Sequence, residues 1–194
     1  YPPWTVVQGR SFLTNCLPPL GILSIAAYIE NEGYSVKVTD VHAERMNLEQ
    51  LRAQIRQYRP RYVGITVLSS MVVAAHSIAK LVKSEVSGCT VVMGGVHAEA
   101  YPEQILQNSA VDIVVTGDGE RPMCAVVSGK PWESIESLSY LKPDGTVHRT
   151  PLQAIEMDLD QYPREAYHLV DFARYFPSVT SYRNLPAINV IMTR

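Results

Sequence analysis

Residues 62–68, YVGITVL, form a near-continuous apolar run, the pattern of a strand buried on both faces rather than one facing water. Such a strand needs helices above and below it, and the flanking sequence supplies them. A weak strand is expected at 5–8 and a second at 35–40 (SVKVTD). Between them, 17–31 carries Leu20, Leu23 and Ala27 at helical spacing, entered through Pro18-Pro19 and left at Gly33. Leu48, Leu51 and Ile55 mark a helix over 48–58. Further helices are predicted at 71–85, 103–108 and 120–128, and further strands at 90–93 and 113–116. Five strands, each followed by a helix across short loops, predict an α/β fold: a doubly wound five-stranded parallel sheet, flavodoxin-like and Rossmann-like.

Composition shifts after Gly129. A hairpin is predicted from 139–141 and 146–149, turning at Asp144-Gly145. The Pro- and Tyr-rich stretch 159–182 reads as a linker with a short helical piece near 169–175. The expected division is therefore an α/β domain over 1–129 and a hairpin and linker over 130–194. The chain starts at Tyr1 and stops at Arg194 inside an apolar β-like run, which reads as a fragment boundary.

Charge narrows the function classes. Seventeen basic against 19 acidic residues leave a net −2, with no basic stripe, so nucleic acid is not an expected partner. The apolar runs at 63–68 and 110–115 are too short to span a membrane, and no charged-then-apolar leader opens the chain. Three well-separated cysteines, Cys16, Cys89 and Cys124, suit a reducing cytoplasm better than a disulfide framework.

In a doubly wound sheet, ligands bind beyond the carboxyl ends of the strands. The loops there hold Thr14, Asn15 and Cys16; Thr66, Leu68, Ser69 and Ser70; Gly94, Gly95 and His97; and Gly117 to Glu120. Each glycine alone is explained by a tight turn, but glycines from several loops on one rim suit a flat, extended ligand. No GxGxxG follows the first strand and no GxxxxGK[ST] occurs, so neither a dinucleotide nor a nucleoside triphosphate has a motif behind it. No acidic cluster or strand-end aspartate supports a response regulator.

Three segments carry a resemblance. PPLGILSIAAYIENEG at 18–33, GGVHA at 94–98 followed by Pro102-Glu103, and DIVVTGDGE at 112–120 resemble the cobalamin-binding domain of cobalamin-dependent radical S-adenosylmethionine enzymes. The tail is similar too, with Asp158-Leu-Asp160, Tyr162-Pro163 and Ile191-Met-Thr-Arg194 resembling the approach to the radical half. The resemblance implies a corrinoid on the strand ends, its nucleotide tail inserted between sheet and helices. It implies that Gly94 and Gly95 leave room for the tail and that the loop of Thr66, Leu68, Ser69 and Ser70 hydrogen-bonds it. It further implies that Thr14, Asn15 and Cys16 face the lower side of the corrin, and that Gly117 and Glu120 help close the rim. S-adenosylmethionine and a [4Fe–4S] cluster would belong to an absent C-terminal domain, methylcobalamin would serve methyl transfer, and this segment would contain no catalytic residue.

The histidines are weighed separately. Relatives that ligate cobalt do so through DxHxxG, whereas Asp40-Val-His42-Ala-Glu-Arg45 has arginine at the glycine position and follows the wrong strand. The expectation is base-off cobalamin with no protein histidine on cobalt, and His42 as a solvated residue. His97 stands evenly between touching the corrin and simple polarity at a helix start, and His76 reads as a partly buried helix residue. No zinc spacing and no nucleophile–base pairing appear. Glu120 is explained equally by matching a helix dipole. Three alternatives stay open: oxidative cyclisation of a magnesium porphyrin by the parent enzyme, a degenerate interaction module without cofactor, and, last, a flavin-binding protein.

Overall fold

The computed structural model describes residues 16–108, 110–156, 158–177, 183–184 and 188–190. Six α-helices are formed within this range: α1 (Leu20–Asn31), α2 (Leu48–Tyr58), α3 (Val72–Glu85), α4 (Val96–Ala100), α5 (Pro102–Leu106) and α6 (Glu120–Val127). The strands are β1 (Tyr62–Thr66), β2 (Thr90–Gly94), β3 (Ile113–Val115), β4 (Leu138–Leu141) and β5 (Val147–Arg149). They make one sheet in the order β1-β2-β3-β4-β5.

The α/β class and the Rossmann-like layering follow the sequence, but these are not the five strands counted there. β1, β2 and β3 pair in parallel, while β4 pairs antiparallel to β3 and β5 antiparallel to β4. The sheet is therefore mixed rather than wholly parallel. The predicted hairpin forms and extends the sheet past β3, because Ser139 and Tyr140 alternate in register with Val114 and Ile113. Residues 35–40 have no strand pairing among the described residues. The strand expected at 5–8 lies outside them.

Helices cover both faces of the inner strands β2 and β3, but β1 is the edge strand of the described sheet and none of its five residues is buried, so the apolar 62–68 run does not mark burial on both faces as expected. Val91, Met93 and Val114 point toward a core shared with α2 to α5, built on Leu51, Ile55, Ala79, Val82, Ile105 and Leu106. Val92, Ile113 and Val115 point the other way, toward Ile29 of α1 and Met123 and Val126 of α6. This alternation along single strands is the period-two pattern of a sheet buried on both sides. Local signals set the helix ends. Asn47 and Gln50 form a reciprocal capping box at the start of α2, each bond 2.9 Å long. Gly33 closes α1 at φ +85°, where glycine carries no steric cost.

Among the described residues, no helix is long and apolar enough to cross a membrane. All three cysteines are free.

Candidate functional site

Parallel pairing of β1, β2 and β3 brings their carboxyl ends to one side, where the loops after β1 and β2 meet. The loop after β1 and the turn after β2 are fastened together through Val67, which is fully buried. Its N–H donates to Gly94 O at 2.8 Å, and its carbonyl accepts from the His97 N–H at 3.2 Å. Gly95 passes directly over this junction at φ +92° and ψ 172°, a region open essentially to glycine alone. A Cβ placed on it would stand 3.0 Å from Thr66 Oγ1 and 3.2 Å from both the N and the O of Val67. The second of the two glycines thus lets two strand ends close into a cradle. Gly94 is less demanding, since a Cβ there would make only ordinary contacts with Val115.

Thr66, Leu68, Ser69 and Ser70 are exposed on this rim, with Ser69–Met71 turning as a short 3-10 segment into α3. His97 lies in α4 with its Nδ1 3.1 Å from Ser69 Oγ. Leu68 at 50 % and Val96 at 65 % exposure put apolar side chains beside the cradle. Gly117 is exposed at φ +74° after β3. The side chain of Glu120 is turned elsewhere: it is 3 % exposed and accepts a 2.5 Å hydrogen bond from Ser24 Oγ, joining α6 to α1.

Thr14 and Asn15 lie outside the described residues. Cys16 is half-buried, and its N–H donates to Phe176 O at 2.9 Å in an isolated antiparallel bridge. Beside it, Tyr175 Oη donates to Asp40 Oδ2 at 3.3 Å. Burial, then the Asp40 carboxylate, pushes both the Tyr175 phenol and the Cys16 thiol above their ordinary pKa values. The tail therefore folds back onto the loops before α1 and after residues 35–40. Sequence reasoning missed this tie, because no spacing rule connects residues 135 apart.

The turn that holds His42 closes on itself. Asp40 Oδ1 accepts from the N–H groups of His42 and Ala43 at 3.1 and 2.9 Å, and the Arg45 N–H donates to His42 O at 3.1 Å. Arg45 sits at φ +52°, the left-handed conformation natural to a glycine, and His42 is exposed.

No cluster of three or more His, Cys, Asp or Glu suited to a metal ion occurs among the described residues. A cleft of about 450 Å³ walled by Trp132, Tyr140 and His148 lies away from the rim. It borders the β4–β5 turn, and β4 runs antiparallel to β3, so the cleft lies toward the strand starts.

The fold defines a Rossmann-like α/β domain whose parallel strand ends open onto exposed loops. The chain belongs to the B12-binding domain family, whose model matches residues 12–127. An uncharacterized methyltransferase of Pyrococcus horikoshii is 31% identical over 163 residues, covering 81% of this chain and 35% of that protein. An anaerobic magnesium-protoporphyrin IX monomethyl ester cyclase of Rubrivivax gelatinosus is 26% identical, covering 79% of this chain and 29% of its own length. The chain thus spans about a third of the length of these curated relatives. In fold it is similar to the radical S-adenosylmethionine methyltransferase TsrM from Kitasatospora setae, solved with cobalamin and a [4Fe–4S] cluster bound. That match has a TM-score of 0.62 at 20% identity, over 76% of this chain and 28% of the other.

Proposed function

We propose that this chain holds cobalamin on its strand-end shelf, as the cofactor module of a larger radical S-adenosylmethionine enzyme. The observation that carries the reading is the Gly95 cradle: a Cβ-free turn pressed onto Val67 between two strand ends, flanked by exposed Leu68 and Val96. A broad, largely apolar macrocycle with polar edges suits such a shelf. Gly94 and Gly95 would give the ligand backbone to approach, Thr66, Ser69 and Ser70 would offer hydroxyls to its polar groups, and Gly117 would border the third strand end. Bound cobalamin supplies a cobalt centre able to carry a methyl group.

In this reading the cofactor is base-off and carries no protein histidine on cobalt. Support comes from His42, which is exposed in a turn locked by Asp40, with Arg45 where a ligating motif has glycine. S-adenosylmethionine and the iron–sulfur cluster belong to a further C-terminal domain, reached through residues 130–194, with residues 1–129 holding the cofactor. The parent is a methyltransferase working in the cytoplasm, which the three free cysteines suit. The similarity to a magnesium-porphyrin cyclase favours oxidative cyclisation as the second reading.

The test is an absorbance spectrum after incubation with hydroxocobalamin and desalting. Corrin bands near one equivalent are expected, and a colourless protein at every loading concentration would overturn the proposal. Electron paramagnetic resonance of the reduced, cobalt(II) form then tests the ligation, since nitrogen superhyperfine splitting would sink the base-off, histidine-free assignment.

A further inference from the structure

His97 presents a cost that the fold alone does not explain. Its Nε2 is buried and has no hydrogen-bond partner among the described residues. An unmatched buried polar atom is costly, and a leucine could fill similar volume without that cost. The polar atom in use is Nδ1, 3.1 Å from Ser69 Oγ. The ring itself is well held. Its backbone N–H is bonded to Val67 O at 3.2 Å, and its ring centroid lies 5.1 Å from that of Tyr101, tilted 43°.

The loop it reaches has little else to hold it in place. Leu68, Ser69 and Ser70 are all exposed, so no buried side chain anchors them. The 3-10 turn at Ser69–Met71 has no side-chain cap, and its Met71 N–H bonds only back to Leu68 O at 2.8 Å. The Ser69 hydroxyl, which can donate or accept, therefore ties this loop across to the β2 turn whichever tautomer His97 adopts. His76 of α3 stands near enough to feel His97. Burial, then the Lys80 charge, then His97 hold its pKa low.

We infer that His97 is a positioning residue of the shelf: through Ser69 it fixes the 68–70 loop against the Gly95 cradle, setting the rim before any ligand arrives. The inference rests on the proposed cobalamin site for its ligand, but the positioning can be read without one.

Four variants test it: S69A, H97L, the double variant and H97N, whose amide can occupy the place of Nδ1. Hydroxocobalamin affinity is followed by absorbance titration, and amide hydrogen exchange of residues 67–71 is followed in the cofactor-free protein. S69A and H97L should each weaken binding about tenfold, the double variant should be no worse than either, and H97N should restore most of the loss. Both single variants should speed exchange at 67–71 by similar factors while thermal unfolding stays cooperative. Losses that multiply in the double variant, or an H97N as poor as H97L, would mean that His97 merely packs. If the unaltered protein binds no cobalamin, the cofactor assignment fails, and exchange alone decides the positioning role. Unchanged exchange in S69A would then overturn it, even if H97L were too unstable to study.

Discussion

Replacing Gly95 with alanine tests the construction of the shelf most directly. The backbone there is at φ +92° and ψ 172°, where any residue with a Cβ costs about 1–3 kcal/mol. The new methyl would also meet Val67 N and O at 3.2 Å. These are main-chain atoms of a fully buried residue that cannot swing aside. Moving them would weaken the Val67–Gly94 and His97–Val67 bonds, each worth about 1 kcal/mol. The two effects overlap, because a shift that relieves one contact loosens the other, so the expected loss is about 2–4 kcal/mol. With a typical urea slope this moves the midpoint by about 1–2 M. Two controls separate the causes. Gly117 shares the positive φ, at +74°, but a Cβ there meets nothing within 4 Å, so G117A should lose only about 1–2 kcal/mol. Gly21 is exposed in α1 with nothing within 4 Å, and G21A should gain about 0.5–1 kcal/mol from helix propensity. Urea unfolding of all three by circular dichroism provides the comparison. A G95A protein within 0.5 kcal/mol of the unaltered chain, or no worse than G117A, would refute the account of a backbone-walled cradle.

Three further outcomes are expected. Tyr175 and Cys16 hold their protons more tightly folded than unfolded, by burial and then by Asp40. Their contribution is therefore complete below the unfolded values of 9.0 for the thiol and 10.0 for the phenol and declines as pH rises further. Denaturant midpoints should be flat from about pH 7 to pH 9 and fall beyond, less steeply in Y175F; an identical slope in Y175F would count against the Tyr175–Asp40 tie. Asp112 Oδ2 accepts from Lys83 Nζ at 2.5 Å and from Val91 N at 2.7 Å, so D112A should cost about 1.5–3 kcal/mol in urea. S24A removes the donor to buried Glu120 and should lower stability by about 1–3 kcal/mol in thermal unfolding, with no loss pointing to a bond of little weight.

The parts of the fold legible in the sequence are those with a local period. α2 is readable from Leu51 and Ile55 and from its Asn47–Gln50 cap, and β1 from its unbroken apolar run. The hairpin was legible from Asp144-Gly145, yet its docking onto β3 was not, since pairing across a sheet leaves no mark on the spacing of either strand. On the candidate rim, the sequence marks the glycines as strand-end turns but not the different demand each one meets. Nothing in the letters distinguishes Gly95, which is pressed onto Val67, from Gly94, which has ordinary room. Glu120 looked like a rim residue by position, and only the helix packing turns it to Ser24.

Residues after 150 hold to the α/β body along α1, where Ala166 N–H donates to Leu23 O and His168 pairs with Glu30, and at further points. Gln153 Nε2 donates to Asp118 O at 2.6 Å, Arg121 bonds Ala154 O at 3.0 Å, and Tyr175 and Phe176 reach Asp40 and Cys16. These contacts fall on the loop after β3, the first turn of α6, the end of the 35–40 segment and the residues before α1, while the β1 and β2 loops carry exposed Leu68 and Val96. Loosening those fastenings, as Y175F would, should then alter the tail's exchange before it alters the cradle's, because the cradle is closed by Val67 and not by the tail.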